Sequence, residues 1–140
     1  MVIAAGSVKH KLTQFWSKEF FEQAGERLNR DDELTKVFAG MNTTILAVSS
    51  DKDEAFLIQV ENGNISSREA RPEDKAEFKF TSLYEKWEKI AKGELRVQSE
   101  VVKGGIKFTG SMPKMLLYLG KVVRMEKKIL NIIKSMNLEY

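Results

Sequence analysis

Cysteine is absent from the 140 residues, which excludes disulfides, thiolate metal sites and cysteine nucleophiles together. Histidine occurs once, at His10, so a histidine-based triad or a multi-histidine zinc site has nothing to build on. In its N-terminal position His10 reads as an ordinary exposed residue. No apolar run approaches the ~18 residues of a membrane span, and Met1–Gly6 is too short an apolar stretch for a secretory signal. Repeats, low-complexity runs and Ser/Gly linkers are missing as well, so residues 1–140 read as one domain. The expectation is a soluble, cytoplasmic protein that needs no cofactor and no metal.

Carboxylates are plentiful, but they alternate with lysine in the manner of a solvated face, as in Glu85, Glu88 and Lys89. No isolated pair stands in an apolar setting where general acid–base chemistry would place it. The run Lys103-Gly-Gly-Ile-Lys-Phe-Thr-Gly110 has the glycines of a phosphate loop. It lacks the Gly-Lys-Ser/Thr ending, however, and its glycines flank a strand, so they read as turn residues.

What the chain has is apolar content, 42% of it, and a charge asymmetry beneath its net +3. Residues 112–140 carry six Lys/Arg against two Glu, a net of +4, and residues 1–111 carry 17 against 18, a net of −1. Basicity is thus a property of the C-terminal segment.

Periodicity orders the elements. Leu12, Phe15, Trp16, Phe20, Ala24 and Leu28 form a helical stripe. Leu34, Val37, Phe38 and Met41 form a second, with Asp31 and Asp32 at its start and Gly40 at its end. Strands are predicted at 43–49, 55–60 and 65–67, with a tight hairpin at Asn62-Gly63. A fourth follows at 76–80, where Ala76, Phe78 and Phe80 share a face. Leu83, Trp87, Ile90 and Ala91 then mark a helix that Ser82 would cap and Gly93 end. A shorter helix from Leu95 to Val102, stopped by Gly104-Gly105, precedes a fifth strand carrying Ile106 and Phe108. The order predicts an α+β domain, a five-stranded, mainly antiparallel sheet covered by helices, with a core over about 12–119.

Drawn as one helix, residues 112–136 place Met112, Met115, Leu116, Leu119, Val122, Val123, Ile129, Leu130 and Ile133 on a broad apolar face. Lys114, Lys121, Arg124 and Lys128 fall opposite. Met125, Ile132, Met136 and Leu117 fit neither side, and Gly120 is a candidate break. A face this wide exceeds one packing interface. It could line a cavity, pair two chains as a homodimer, or rest transiently on a membrane surface.

The stretches Ala76-Glu-Phe-Lys-Phe-Thr-Ser-Leu-Tyr-Glu-Lys-Trp-Glu-Lys-Ile-Ala-Lys-Gly-Glu-Leu95 and Gly105-Ile-Lys-Phe-Thr-Gly-Ser-Met112 together resemble the sterol carrier protein two family. The order of the preceding helices and strands from about Phe20 agrees, so the resemblance runs to Leu119. It implies an apolar tunnel between sheet and helices, and binding and transfer of fatty acids, acyl-coenzyme A, sterols or other lipids without catalysis. Carried over by position, the tunnel wall is Phe80, Leu83, Trp87, Ile90, Ile106, Phe108, Met112, Met115, Leu116 and Leu119. Lys114 and Lys121, on the helix that would form part of that wall, are candidate headgroup anchors at its entrance. Two departures stand out. Pro113-Lys114 replaces small residues after Met112, and the tail of about 120–140 is longer and more basic than the family's usual ending.

Two other readings compete with the carrier: an accessory module for enzymes of lipid or isoprenoid-quinone synthesis, and an enzyme acting on acyl thioesters. Nucleic acid is not an expected partner, because the aromatics sit at core spacings and do not alternate with Lys/Arg on an exposed sheet.

Overall fold

Ser17 divides what periodicity joins. In a computed structural model describing residues 12–140, Thr13–Gln14 is a short strand, β1, and helix α1 begins only at Lys18 and runs to Asn29. The Ser17 hydroxyl accepts from the Phe20 N–H at 3.2 Å, capping the helix. The stripe from Leu12 to Leu28 is therefore not one helix. Trp16 has φ 60°, a left-handed backbone in which no helix can start and which costs a bulky residue energy. His10 lies outside the described residues.

Helix α2, Asp32–Phe38, is capped by Asp31, whose carboxylate accepts from the Leu34 N–H at 3.0 Å. Strands β2 (Thr43–Ser49), β3 (Glu54–Glu61) and β4 (Asn64–Ala70) form the expected meander. Asn62 and Gly63 turn between the last two with φ of 48° and 81°, as a two-residue hairpin with two positive φ angles requires. Strand β5, Phe78–Ser82, returns parallel to β2, and β6, Lys107–Thr109, pairs antiparallel with β5. The sheet order is β4-β3-β2-β5-β6. It is a five-stranded, mainly antiparallel sheet in an α+β fold.

Helices α3 (Tyr84–Ala91), α4 (Val97–Lys103), α5 (Met112–Arg124) and α6 (Glu126–Lys134) complete the cover. Ser82 does not cap α3; its buried hydroxyl donates to the Gly105 carbonyl at 2.8 Å. The first N–H of α3 is taken instead by Asp51 from the β2–β3 turn, at 2.9 Å. That bond is the main reason the Asp51 carboxyl sits below its ordinary pKa. The C-terminal segment is two helices, not one, and the break falls at Met125 rather than Gly120. Met125, at that break, and Met136, just past the end of α6, are both buried.

Alternation on the sheet decides what each face carries. Ala47 and Phe56, paired across β2 and β3, lie under a nest of Phe15, Trp16, Phe20, Trp87, Ile106 and Met136. Leu46, Val48, Ala55 and Leu57 form a separate cluster, with Ala70 at the end of β4 and Ala76 in the β4–β5 connection packed on it. A third cluster joins Leu34, Phe38, Met41 and Val60 to Met125. Strand β7, Leu138–Glu139, pairs parallel with β1 and ties the C-terminal segment beside the start of α1.

Two adjacent glycines end α4 for different reasons. Gly104 adopts φ 83°, and a Cβ on Gly105 would lie 2.3 Å from Glu100 Oε1 and 3.0 Å from Lys86 Nζ. The first is a left-handed helix cap, and the second makes room for the ion pair of the buried Glu100 with the half-buried Lys86.

Candidate functional site: an apolar cavity and its groove

Between the Ala47 face of the sheet and the helices lies an apolar cavity of about 270 Å³. Its floor is Ala47 and Ile58. Phe15, Trp16, Phe20 and Phe21 wall it on one side, and Trp87, Ile90 and Ala91 of α3 on another. The ends of α5 and α6 close it with Leu119, Val122, Val123, Ile129, Leu130 and Ile133.

Aromatic packing fixes the first wall. Trp16 stacks on Trp87 at 5.3 Å between centroids, and Phe21 stacks on Phe56 at 4.4 Å. The Trp87 indole donates to the Val48 carbonyl at 2.8 Å, which anchors α3 to the central strand. Trp16 bears two costs: its positive φ, and a buried indole N–H with no acceptor among the described residues. Costs of this kind persist where the surroundings over-determine them, often at binding sites.

Polar groups in the lining are confined to the segment around the start of α4 and the first residue of α6. They are Arg96, Gln98 and Glu126. Arg96 Nε pairs with Glu126 Oε1 at 3.3 Å, leaving the guanidinium largely in solvent. The lining thus offers surface for a hydrocarbon chain and one small polar edge. It holds no nucleophile beside a base. Among the described residues no group of three His, Asp or Glu is placed to hold a metal.

A second, open depression of about 610 Å³ runs between α4 and α5. Gln98, Ser99, Val102 and Lys103 form one side, and Leu116, Leu119, Gly120 and Val123 the other. Gln98, Leu119 and Val123 belong to both linings, so groove and cavity adjoin.

Of the residues singled out in sequence, Trp87, Ile90 and Leu119 line the cavity, and Leu116 and Leu119 line the groove. Ile106 and Met115 are buried in the interior. Phe80 and Phe108 pack on each other across β5 and β6, 5.1 Å between centroids. Leu83 and Met112 are exposed at the starts of α3 and α5. Lys114 is paired with Glu77, whose carboxyl is held below its ordinary range by that contact first and by Thr43 second. Lys121 lies on α5 outside both linings. The residues that motif reasoning passed over are those before α1, the Arg96–Gln98 edge, and the walls beyond Leu119. Periodicity had already marked Phe15, Trp16, Val122 and Ile133 as apolar, but the resemblance stopped short of them.

Over residues 12–134 the sequence matches the alkyl sulfatase C-terminal domain family. The chain belongs to that family. No curated protein matches it by sequence. Among solved structures, a conserved hypothetical protein of Thermus thermophilus is similar with a TM-score of 0.72 at 12% identity, over 89% of this chain and 91% of that one. A sterol carrier protein 2 is similar with a TM-score of 0.71 at 11% identity, over 87% and 98%. The stereoselective inverting sec-alkylsulfatase Pisa1 of a Pseudomonas species matches with a TM-score of 0.51 at 21% identity, over 61% of this chain. The chain aligns with 14% of the length of that enzyme. The fold is thus of the sterol carrier type, in an alkyl sulfatase C-terminal domain.

Proposed function

We propose that this domain binds and transfers, without catalysis, an amphiphile with one long hydrocarbon chain, a fatty acyl or alkyl lipid, and that cavity and groove together form the tunnel that holds it. The observation that carries the reading is the cavity's lining, aromatic and aliphatic except at the Arg96–Gln98–Glu126 edge. About nine waters' worth of liquid would fill 270 Å³. Water needs two to four polar partners each, roughly, and the walls supply them at one edge alone. A hydrocarbon chain needs none, and each methylene buried is worth about 0.8 kcal/mol. The left-handed backbone of Trp16 in the wall is strain of the kind found at binding sites and supports the same reading.

The family gives a second reading of the same cavity. As the accessory domain of an alkyl sulfatase, it would hold the alkyl tail of an alkyl sulfate beside the polar edge. Sulfate-headed and carboxylate-headed chains of equal length separate the two readings by their relative affinity.

The test is a series of chain lengths measured by displacement of a fluorescent fatty acid. Affinity should rise about fourfold per methylene until the groove is filled and then level off. Val123, which lines both spaces and is 38% exposed, can take tryptophan with little strain, and Val123→Trp should block uptake. Uptake independent of chain length and unaffected by Val123→Trp would refute the tunnel.

A further inference from the structure

The groove between α4 and α5 has more apolar surface on display than its own lining requires. Val102 is 88% exposed, Leu116 57% and Leu117 65%. Apolar side chains of this size in one contiguous patch on a small domain mark an interaction surface.

Helix geometry sets a basic stripe directly beside it. On α5, Leu116, Gly120 and Val123 recur at i, i+4 and i+7 along the groove. One residue further on, Leu117, Lys121 and Arg124 repeat the same spacing and form the neighbouring stripe. Lys103 lines the opposite side of the groove. Lys103, Lys121 and Arg124 have no ion-pair partner within 4.0 Å among the described residues, whereas Lys114, on the same helix, is paired with Glu77. Of the acidic residues on these two helices, Glu100 is buried and paired with Lys86, and α5 contains none. The exposed charge on these two helices is therefore positive.

We infer that the α4–α5 groove is the face by which this domain docks on an anionic lipid surface, and that the cavity is loaded and unloaded through it. Three observations converge on a lipid surface as the occupant. The apolar side chains are of the kind that insert among acyl chains. The free cations beside them match anionic headgroups at the level of the interface. The groove also shares Gln98, Leu119 and Val123 with the cavity, so a chain leaving the bilayer there enters the binding space without crossing water. A protein partner would account for the first observation and an acidic one for the second, but neither accounts for the third.

The test is sedimentation of the full chain with phosphatidylcholine vesicles, with and without about 30% phosphatidylglycerol. Binding is expected to the anionic vesicles and not to the neutral ones, and to fall as salt is raised. Neutralising both cations of the stripe, Lys121→Gln with Arg124→Gln, should weaken binding about 25-fold, roughly fivefold for each charge. The double variant Val102→Ser with Leu116→Ser should lower partitioning at least tenfold while the melting profile stays unchanged, since both residues are exposed. Equal binding to both vesicle types, no binding to either, or anionic binding indifferent to both double variants would each overturn the inference. So would a dimer in solution that Val102→Ser with Leu116→Ser dissolves, because the face would then belong to a second copy. Fatty-acid displacement in vesicle-free solution is scored separately. If it persists when vesicle binding fails, the docking face is refuted and the lipid-binding reading stands.

Discussion

Glu100 carries its carboxylate into the interior with only 3% of the residue exposed, and Lys86 meets it at 2.7 Å. The lysine contact is the first cause holding the Glu100 pKa below its ordinary value of about 4.5. As pH falls, the unfolded chain takes up this proton before the folded one does. The stability the group contributes is therefore fully present above about pH 4.5 and is lost as pH falls through the lower, folded-state value. Lys86→Met removes the cause and leaves a buried carboxylate without its partner. The variant should melt lower than the parent at neutral pH, and the gap should close as the solution is acidified from roughly pH 6 to pH 3. A Tm deficit constant across that range would show that the pair is not what sets the pH dependence. Gly105 belongs to the same argument, because any side chain there would collide with the pair.

Helix α5 contains Gly120 at a position where an added Cβ would meet nothing within 4 Å. Glycine in a helix interior costs about 1 kcal/mol relative to alanine. Gly120→Ala should therefore stabilise the protein by about that amount in urea unfolding, and a loss of stability would mean that the helix needs its freedom there. What the sequence disclosed at this scale follows from whether the governing signal was local. Strands β2 to β5 and the Asn62-Gly63 turn were legible because a two-residue period and a positive-φ pair are properties of neighbours. The start of α1 was not, since nothing in the letters Phe15-Trp16-Ser17 declares a left-handed tryptophan. The break at Met125 left a trace: Met125 and Met136 lay off the apolar stripe of a single helix. Both are buried, Met125 at the break between α5 and α6 and Met136 just past the end of α6. The candidate site was the least legible part, because apolarity is the same signal for a wall and for a filled core. Ile90 lines the cavity and Ile106 is packed solid, and their local sequences do not tell them apart.

On the scale of the whole molecule, helices from both ends of the chain meet over one sheet face, and the cavity is what their side chains leave unfilled. Its walls come from the segment before α1, from the first turn of α1, from α3, from the start of α4 and from α5–α6, so a ligand in it touches segments distant in sequence at once. Binding to the folded form alone raises stability by about 2.7 kcal/mol at a hundredfold excess over Kd. A saturating long-chain fatty acid should therefore raise Tm by roughly 10 °C. An unchanged Tm at saturation would mean that the chain binds the unfolded protein equally well, and that the cavity is not its site.

The parallel pair of β1 and β7 has a topological consequence. Thr13 and Phe15 donate their backbone N–H groups to the carbonyls of Asn137 and Glu139 at 2.7 and 2.8 Å. A polypeptide stitched to itself near both extremities is, between the stitches, almost a ring. Joining Tyr140 to Leu12 by a short spacer would then ask little of the architecture. A new opening cut between Lys52 and Asp53, past the Asp51 cap of α3, would move the termini to the far end of the β2–β3 hairpin. Such a permuted chain would keep every wall of the cavity while reversing the order in which those walls are made.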